Sequence, residues 1–396
     1  MNVTLSDAVD LGIRLFALFN VVALGAVSLV WLERRFLGRL QGRPGPNRVG
    51  PFGLLQPIAD AIKLMSKEDV APGSSQRLIF YAAPILVFVP AFVVWLTFPL
   101  ARDLVVRNME MGLFFFVAIS TLSIVGLVLA GWSSNSKYAI LGGFRAAAQL
   151  VSYEIPIITM ILVVAMLSGS LDFVSVVDAQ SRVPFILVVP LGLVIFLIAG
   201  LAEVGRTPFD IYFAESEVVG GPFVEYSGAH WAIFFLAEYV NTFVLGILGA
   251  LLFLGGWRWP FGENLPQLAS VALLMGKAYF IVLVIFWIRG TYPRMRIDQL
   301  MEVAWKWLIP LSFALFLVTA FQLKFEWPWW ILTIMSLAIL AVPVLVQSQK
   351  QRNPALALAA RYAANAVVVE AKPRPSPAAA EDTPPATSET AEGTSA

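Results

Sequence analysis

Nine runs of mostly apolar residues constrain this chain more than any other feature. They fall at roughly 11–32, 79–99, 113–132, 150–168, 184–202, 231–254, 269–289, 303–323 and 328–347. A helix that crosses a bilayer needs about 20 such residues. The runs are continuously apolar rather than alternating, so they read as helices and not as barrel strands. The expected fold is therefore all-α: a polytopic transmembrane bundle of 8–9 helices. The range reflects the last pair, which only Lys324, Phe325, Glu326 and Trp327 separate. Charged residues make up 13% of the chain, against about 25% in soluble domains. Lipid, not a polar shell, is expected to cover the apolar surface.

Lys and Arg set the orientation, because cytoplasmic loops are enriched in them. With the N-terminus outside, every Lys and Arg of the 27 falls on inner segments except Arg14, Arg102, Arg107, Arg182, Arg258, Lys277 and Lys324. The N-terminus is thus expected outside and the C-terminus in the cytoplasm. No cleavable signal peptide is expected, since Asp7 and Asp10 precede the first apolar run. Within the first inner loop, residues 52–66 place Leu54, Leu55, Ile58, Ile62 and Leu64 at helical spacing, which predicts an amphipathic helix lying on the membrane surface. Residues 1–348 are read as the transmembrane domain. Residues 349–396 are read as a cytoplasmic tail that turns to Ala, Pro, Thr and Glu and is largely disordered.

The composition also excludes several chemistries. There is no Cys, so this chain carries no thiolate-bound zinc or iron–sulfur cluster. With one His, His230, paired-histidine metal sites are absent too. His230 is read as a hydrogen-bonded interfacial side chain. Lys277, mid-run in the seventh helix, either snorkels outward or pairs with a buried group. A net charge of +1 gives no sign of nucleic-acid binding, and no phosphate-loop or flavin fingerprint occurs. No catalysis by the isolated chain, and no bound metal or flavin, is expected.

Ionisable groups in membrane segments are costly and point to function. Glu154 lies in QLVSYEIPIITM, at the start of the fourth run. Glu203 ends the fifth and is followed by Arg206. Asp210, Glu215, Glu217 and Glu225 crowd the next loop, and Glu238 lies about two turns into the sixth run. These groups share one side of the membrane. A line of carboxyls at partial depth is what a proton relay needs, since each can hold or release a proton and water can bridge them.

Five segments go beyond composition. They read ERRFLGRLQGRPGPNRVGPFGLLQPIADAIKLMSKED (33–69), GWSSNSKYAILGGFRAAAQLVSYEIP (131–156), LAEVGRTPFDIYFAESEVVGG with VEYSG (201–228), FFLAEY (234–239) and RGTYPRMRIDQLMEVAWKWLIP (289–310). In order and spacing they resemble the quinone-channel membrane subunit of respiratory complex I, the H subunit of the bacterial enzyme and subunit 1 of the mitochondrial one, over about residues 10–323. The resemblance implies a subunit of a proton-translocating NADH:quinone oxidoreductase in the bacterial inner membrane, with a quinone, ubiquinone or menaquinone, as substrate. It implies a quinone tunnel near Arg34, Arg43, Asp60, Arg206, Arg289, Arg294 and Asp298. It implies an acidic path through Glu154, Glu203, Asp210, Glu215, Glu217, Glu225 and Glu238. The implied partners are the peripheral-arm subunits with the terminal iron–sulfur cluster and quinone-head site, small membrane subunits, antiporter-like subunits and lipid. The alternative is the membrane anchor of a related hydrogenase or other cofactor-oxidising complex. A stand-alone transporter would be expected to show inverted repeats, and none is visible. The chain departs from the family in the acidic loop. Gly205 stands where the family commonly has Asn, and Ile211, Tyr212 and Phe213 stand for Leu-Pro-Glu. One family carboxylate is therefore missing, at Phe213.

Overall fold

The computed structural model describes the backbone of residues 5–102, 104–258 and 266–352. Among these, helices and loops account for the fold, and strand geometry is confined to an isolated bridge between Ala101 and Leu104. The helices are α1 (Leu5–Leu40), α2 (Gln56–Ser66), α3 (Arg77–Val93), α4 (Gly112–Ser120), α5 (Leu122–Ser133), α6 (Lys137–Ser168), α7 (Phe173–Ala179), α8 (Phe185–Val188), α9 (Pro190–Glu203), α10 (Glu215–Val218), α11 (Gly228–Phe253), α12 (Gln267–Thr291), α13 (Ile297–Glu302), α14 (Ile309–Lys324) and α15 (Trp329–Arg352). Seven stretches among the described residues are long and apolar enough to cross a membrane: Leu11–Leu40, Arg77–Thr97, Gly112–Ser133, Lys137–Ser168, Gly228–Phe253, Gln267–Thr291 and Ile297–Lys324. Two shorter apolar helices, Pro190–Glu203 and Trp329–Pro343, cover the remaining predicted runs. The protein is thus an all-α polytopic membrane bundle, and each of the nine runs forms helix.

The differences from the sequence reading have local causes. α6 starts at Lys137, not near 150. Residues 137–149 include Ala139, Ala146, Ala147 and Ala148 and no proline, so the helix continues toward its N-terminus through Gly142 and Gly143. Glu154 consequently lies mid-helix rather than at a helix start. The fifth run breaks at Val189, because Pro190 has no amide hydrogen to continue α8. The 14 residues of α9 reach only about 21 Å at 1.5 Å per residue. A π-helical turn, Val303–Leu308, joins α13 to α14, and Pro310 sits just past it, within the first turn of α14.

Two helices form the centre. α11 is flanked by α1, α2, α3 and α12, while α6 is flanked by α5, α9 and α14. Helices approach closely where glycine removes the side chain. A Cβ at Gly126 on α5 would stand only 3.0 Å from the α3 backbone at Leu86. The outer faces carry exposed Phe16, Leu24, Phe114, Phe280, Leu317 and Ile334, an apolar belt suited to lipid contact. α2 keeps its predicted amphipathic character, with Ile58, Ile62 and Met65 exposed while Asp60 and Lys63 make polar contacts.

Candidate functional site

The ends of α1, α9 and α12 meet the first half of α11, and buried charge is concentrated there. Arg206, in the loop after α9, is nearly fully buried, with 3% of its side chain exposed. Its Nη1 lies 3.2 Å from Glu238 Oε1 on α11 and 3.5 Å from Glu33 Oε2 on α1. Its Cζ stands 4.4 Å from the Tyr239 ring centroid, within cation–π range. Burial pulls the guanidinium pKa down, but the Glu238 and Glu33 carboxylates more than offset this and push it above its ordinary value. Glu33 also accepts a hydrogen bond from Arg289 of α12. Two cations thus compensate two carboxylates in a place where an unpaired charge would be very costly.

A cavity of about 710 Å³ opens beside this cluster, within the size range of small-molecule sites. Arg206, Arg289, Arg294, Asp210, Ser216 and Glu238 line it, together with Trp231, Phe235 and Tyr239. The three aromatics recur at four-residue intervals on α11, so they share one helix face. Trp231 stacks on Phe235 at 5.2 Å between ring centroids, and Phe235 meets Tyr239 at 4.8 Å. Arg294 donates to Asp210 Oδ2 at 3.0 Å. Burial nevertheless pushes the Asp210 carboxyl above its usual range, against the opposing pull of Arg294, Arg289 and Arg206. Arg206 Nε and Nη2 and Asp210 Oδ1 are buried without a hydrogen-bond partner among the described residues. Such groups are rare in folded proteins. Here they lie beside an open pocket and a ladder of aromatic rings.

A second, narrower cavity of about 80 Å³ runs inside the bundle. Its walls are mainly apolar, with polar groups from Ser120, Ser123, Glu203, Glu238 and Asn241. Glu154 on α6 accepts a 2.5 Å hydrogen bond from the Thr121 hydroxyl, at the joint between α4 and α5. Neither Glu154 nor Glu203 forms an ion pair among the described residues. Among the described residues, Glu238 and Phe213 line both cavities.

The structure brings together Arg206, Asp210, Glu238, Arg289 and Arg294 around the larger cavity, and Glu203 with Glu238 at the smaller. It places the other singled-out residues elsewhere. Arg34 and Asp60 pair at 2.5 Å, and Lys63 lies 3.2 Å from the same carboxylate. Partial burial would raise Asp60, but the hydrogen bonds and charges of Arg34 and Lys63 hold it below the usual carboxylate range. Arg43 is exposed and bonds Gln41 at 2.7 Å. Asp298 is exposed in the first turn of α13. Glu217 pairs with Arg145 at 2.6 Å on an exposed face. Glu225 is partly buried, without an ion pair among the described residues. The side chain of Glu215 lies outside the described residues. Outside this acidic set, His230 Nδ1 lies 2.6 Å from Asp69. Lys277 donates to the backbone carbonyls of Leu254, Gly256 and Arg258 at 2.6–2.8 Å, which fixes the turn after α11.

Glu33 is the site residue that the sequence reading misses. It is buried, 3% exposed, and bridges Arg206 to Arg289. The signal is present: a carboxylate ends the first apolar run, and the argument applied to Glu154 and Glu238 holds for it equally.

Comparison with known proteins agrees with this architecture. The profile of the NADH dehydrogenase family matches residues 13–320. The NADH-quinone oxidoreductase H subunit of Dehalococcoides mccartyi is 46% identical over 315 residues, covering 80% of this chain and 87% of the relative. The H subunit numbered 2 of the same enzyme from Syntrophobacter fumaroxidans is 46% identical over 77% of this chain and 93% of its own length. The H subunit of Geobacillus kaustophilus is 46% identical over 77% and 91%. Matched over most of its length by both the family profile and these relatives, the chain belongs to the NADH dehydrogenase family, among the membrane-spanning H subunits of NADH-quinone oxidoreductases.

Proposed function

We propose that this chain is the membrane subunit of a proton-translocating NADH:quinone oxidoreductase that holds the quinone and couples its reduction to proton movement. The observation that carries the reading is the 710 Å³ cavity, where aromatic rings on α11 face a cluster of arginines. A quinone has a flat apolar ring and carbonyl acceptors, and its head gains negative charge on reduction. The rings of Trp231, Phe235 and Tyr239 suit the first property, and Arg206, Arg289 and Arg294 suit the second. No redox centre is expected within the chain, so electrons would come from a neighbouring subunit that carries the terminal iron–sulfur cluster and the quinone-head site.

In this reading Arg206, Arg289 and Arg294 line the tunnel, and Arg34, Asp60, Arg43 and Asp298 lie along its mouth and rim. Charge arriving in the cavity acts on Glu238, which also faces the internal cavity with Glu203. Glu154 continues that line, while Asp210, Glu215, Glu217 and Glu225 form its loop end. Together these carboxyls form a path toward small and antiporter-like membrane subunits. Residues 1–348 are the quinone-channel domain. The chain sits in a bacterial inner membrane with its N-terminus outside, and residues 349–396 form a cytoplasmic tail. The anchor of a related hydrogenase differs from this reading in its partners. Mild detergent extraction followed by identification of the co-purifying proteins separates the two. NADH-oxidising and iron–sulfur subunits are expected, and hydrogenase subunits in their place would overturn the assignment.

A further inference from the structure

Phe213 stands where the family commonly carries a carboxylate, and the fold gives that departure a place. Among the described residues, the larger, polar cavity and the smaller internal one share the lining residues Glu238 and Phe213. Phe213 is held by rings. It lies 5.4 Å from Tyr212 and 4.8 Å from Phe223 between centroids, and Phe223 lies 4.4 Å from Phe234. A phenyl ring has no donor or acceptor, and water needs polar partners to occupy a buried site. The wall between the cavities therefore has one side chain that can carry a proton and one that cannot.

We propose that Phe213 is an apolar partition that confines proton exchange between the two cavities to the Glu238 carboxyl. This rests on the functional reading above and deepens it. The neutral Glu238 carboxyl gives its proton to water or Glu203 on the internal side. The carboxylate left behind, held 3.2 Å from Arg206 Nη1, takes a proton back from the side of the larger cavity. The carboxyl is unchanged after one cycle, and one proton has crossed. With the ring removed, water would join the two cavities. The proton could then return past Glu238 without doing work, since exclusion of water is what prevents such leakage.

The test is the number of protons taken up per quinone reduced, in the whole complex reconstituted into vesicles. This ratio is unaffected by a slower turnover. Phe213→Ala and Phe213→Gln are expected to lower it about twofold or more. Phe213→Leu, which keeps an apolar wall, is expected to retain it. If Phe213→Ala does not assemble, the Gln and Leu variants decide, because both keep most of the side-chain volume. Full proton yield in Phe213→Gln, or a loss in Phe213→Leu equal to that in Phe213→Gln, would overturn the partition. Glu238→Gln in the same assay separates this from the parent reading. If Glu238→Gln pumps normally, the acidic path fails. If it stops pumping while Phe213→Ala and Phe213→Gln keep their yield, the path stands and the partition falls.

Discussion

The two cavities share a wall, yet they treat charge in opposite ways. Around the larger one, carboxylates meet cations: Glu33 and Glu238 face Arg206, Glu33 also holds Arg289, and Asp210 holds Arg294. Around the smaller one, Glu203 has no cation among the described residues. Beyond it, Glu154 has a threonine hydroxyl. A compensated cluster can keep its charges in low dielectric and respond to a new negative charge by rearranging its pairs. An isolated carboxyl in an apolar wall is expensive when ionised and serves better as a carrier of protons. On the proposed reading, one region senses redox state and the other transfers protons, with Glu238 belonging to both.

Removing Arg206 should break this contrast most severely. Arg206→Met leaves Glu33 and Glu238 buried with less compensation, a loss of about 3–5 kcal/mol by analogy with other broken buried pairs. The expected outcome is a sharp fall in assembled protein, read by native electrophoresis of solubilised membranes. Near-normal assembly would mean that the pairs are not the main support of this end of the bundle.

Glu33→Gln should do less, because Arg206 keeps Glu238. A neutral amide can still accept from Arg289, so a cost of about 1–3 kcal/mol is expected. Assembly should persist with a lowered melting temperature. A loss as large as that of Arg206→Met would make Glu33 the keystone of the cluster.

Variants of the peripheral Arg34–Asp60 pair are expected to separate quinone handling from folding. Arg34→Met should lower quinone-dependent turnover while sparing electron transfer to a hydrophilic acceptor. Equal loss of both would indicate misassembly. The pH dependence of thermal stability offers a sharper contrast. Asp60 is held below its usual pKa, so its contribution is present above that ordinary value and is lost as pH falls through the lowered one. Asp210 is raised, so its contribution is present below the ordinary value and is lost as pH rises through the raised one. The wild-type advantage over Asp60→Asn should therefore grow with pH, and that over Asp210→Asn should shrink. Parallel trends would contradict the two assignments.

The smallest effect is expected at Glu217, which pairs with Arg145 on an exposed face. Glu217→Gln should cost about 0–1 kcal/mol and leave turnover nearly unaltered, since Glu215 lies two residues away. A collapse of pumping would make Glu217 an indispensable member of the loop end of the path.

Much of the fold is legible in the sequence because apolar run length is a strong constraint in lipid. All nine runs are helical, and α2 (Gln56–Ser66) covers most of the 52–66 segment predicted as an amphipathic helix. The starts of helices are less so. Residues 137–149 mix polar and small side chains, so the apolar signal begins late, and Glu154 reads as a helix start although it is mid-helix. The buried charges are legible where they interrupt a run, as at Glu238. Glu33 ends a run and reads as an interfacial charge, although the fold buries it between Arg206 and Arg289. The two cavities have no trace in the sequence. They arise from the packing of α3, α5, α6, α9, α11 and α12 with the 205–216 loop. Phe213 stands out as a departure from a motif, but its position in the shared wall is a property of that packing alone.

On the proposed reading, carboxyls within the bundle carry the protons whose translocation quinone reduction drives. The direct test is quinone reductase rate and proton uptake in vesicles containing the whole complex with Glu154→Gln or Glu238→Gln. Each amide fixes one member of the path without a proton to give. The account predicts that rate and pumping fall together in both variants, by about tenfold or more for a step that loses its acid–base group. Wild-type rate and wild-type pumping in both would contradict it.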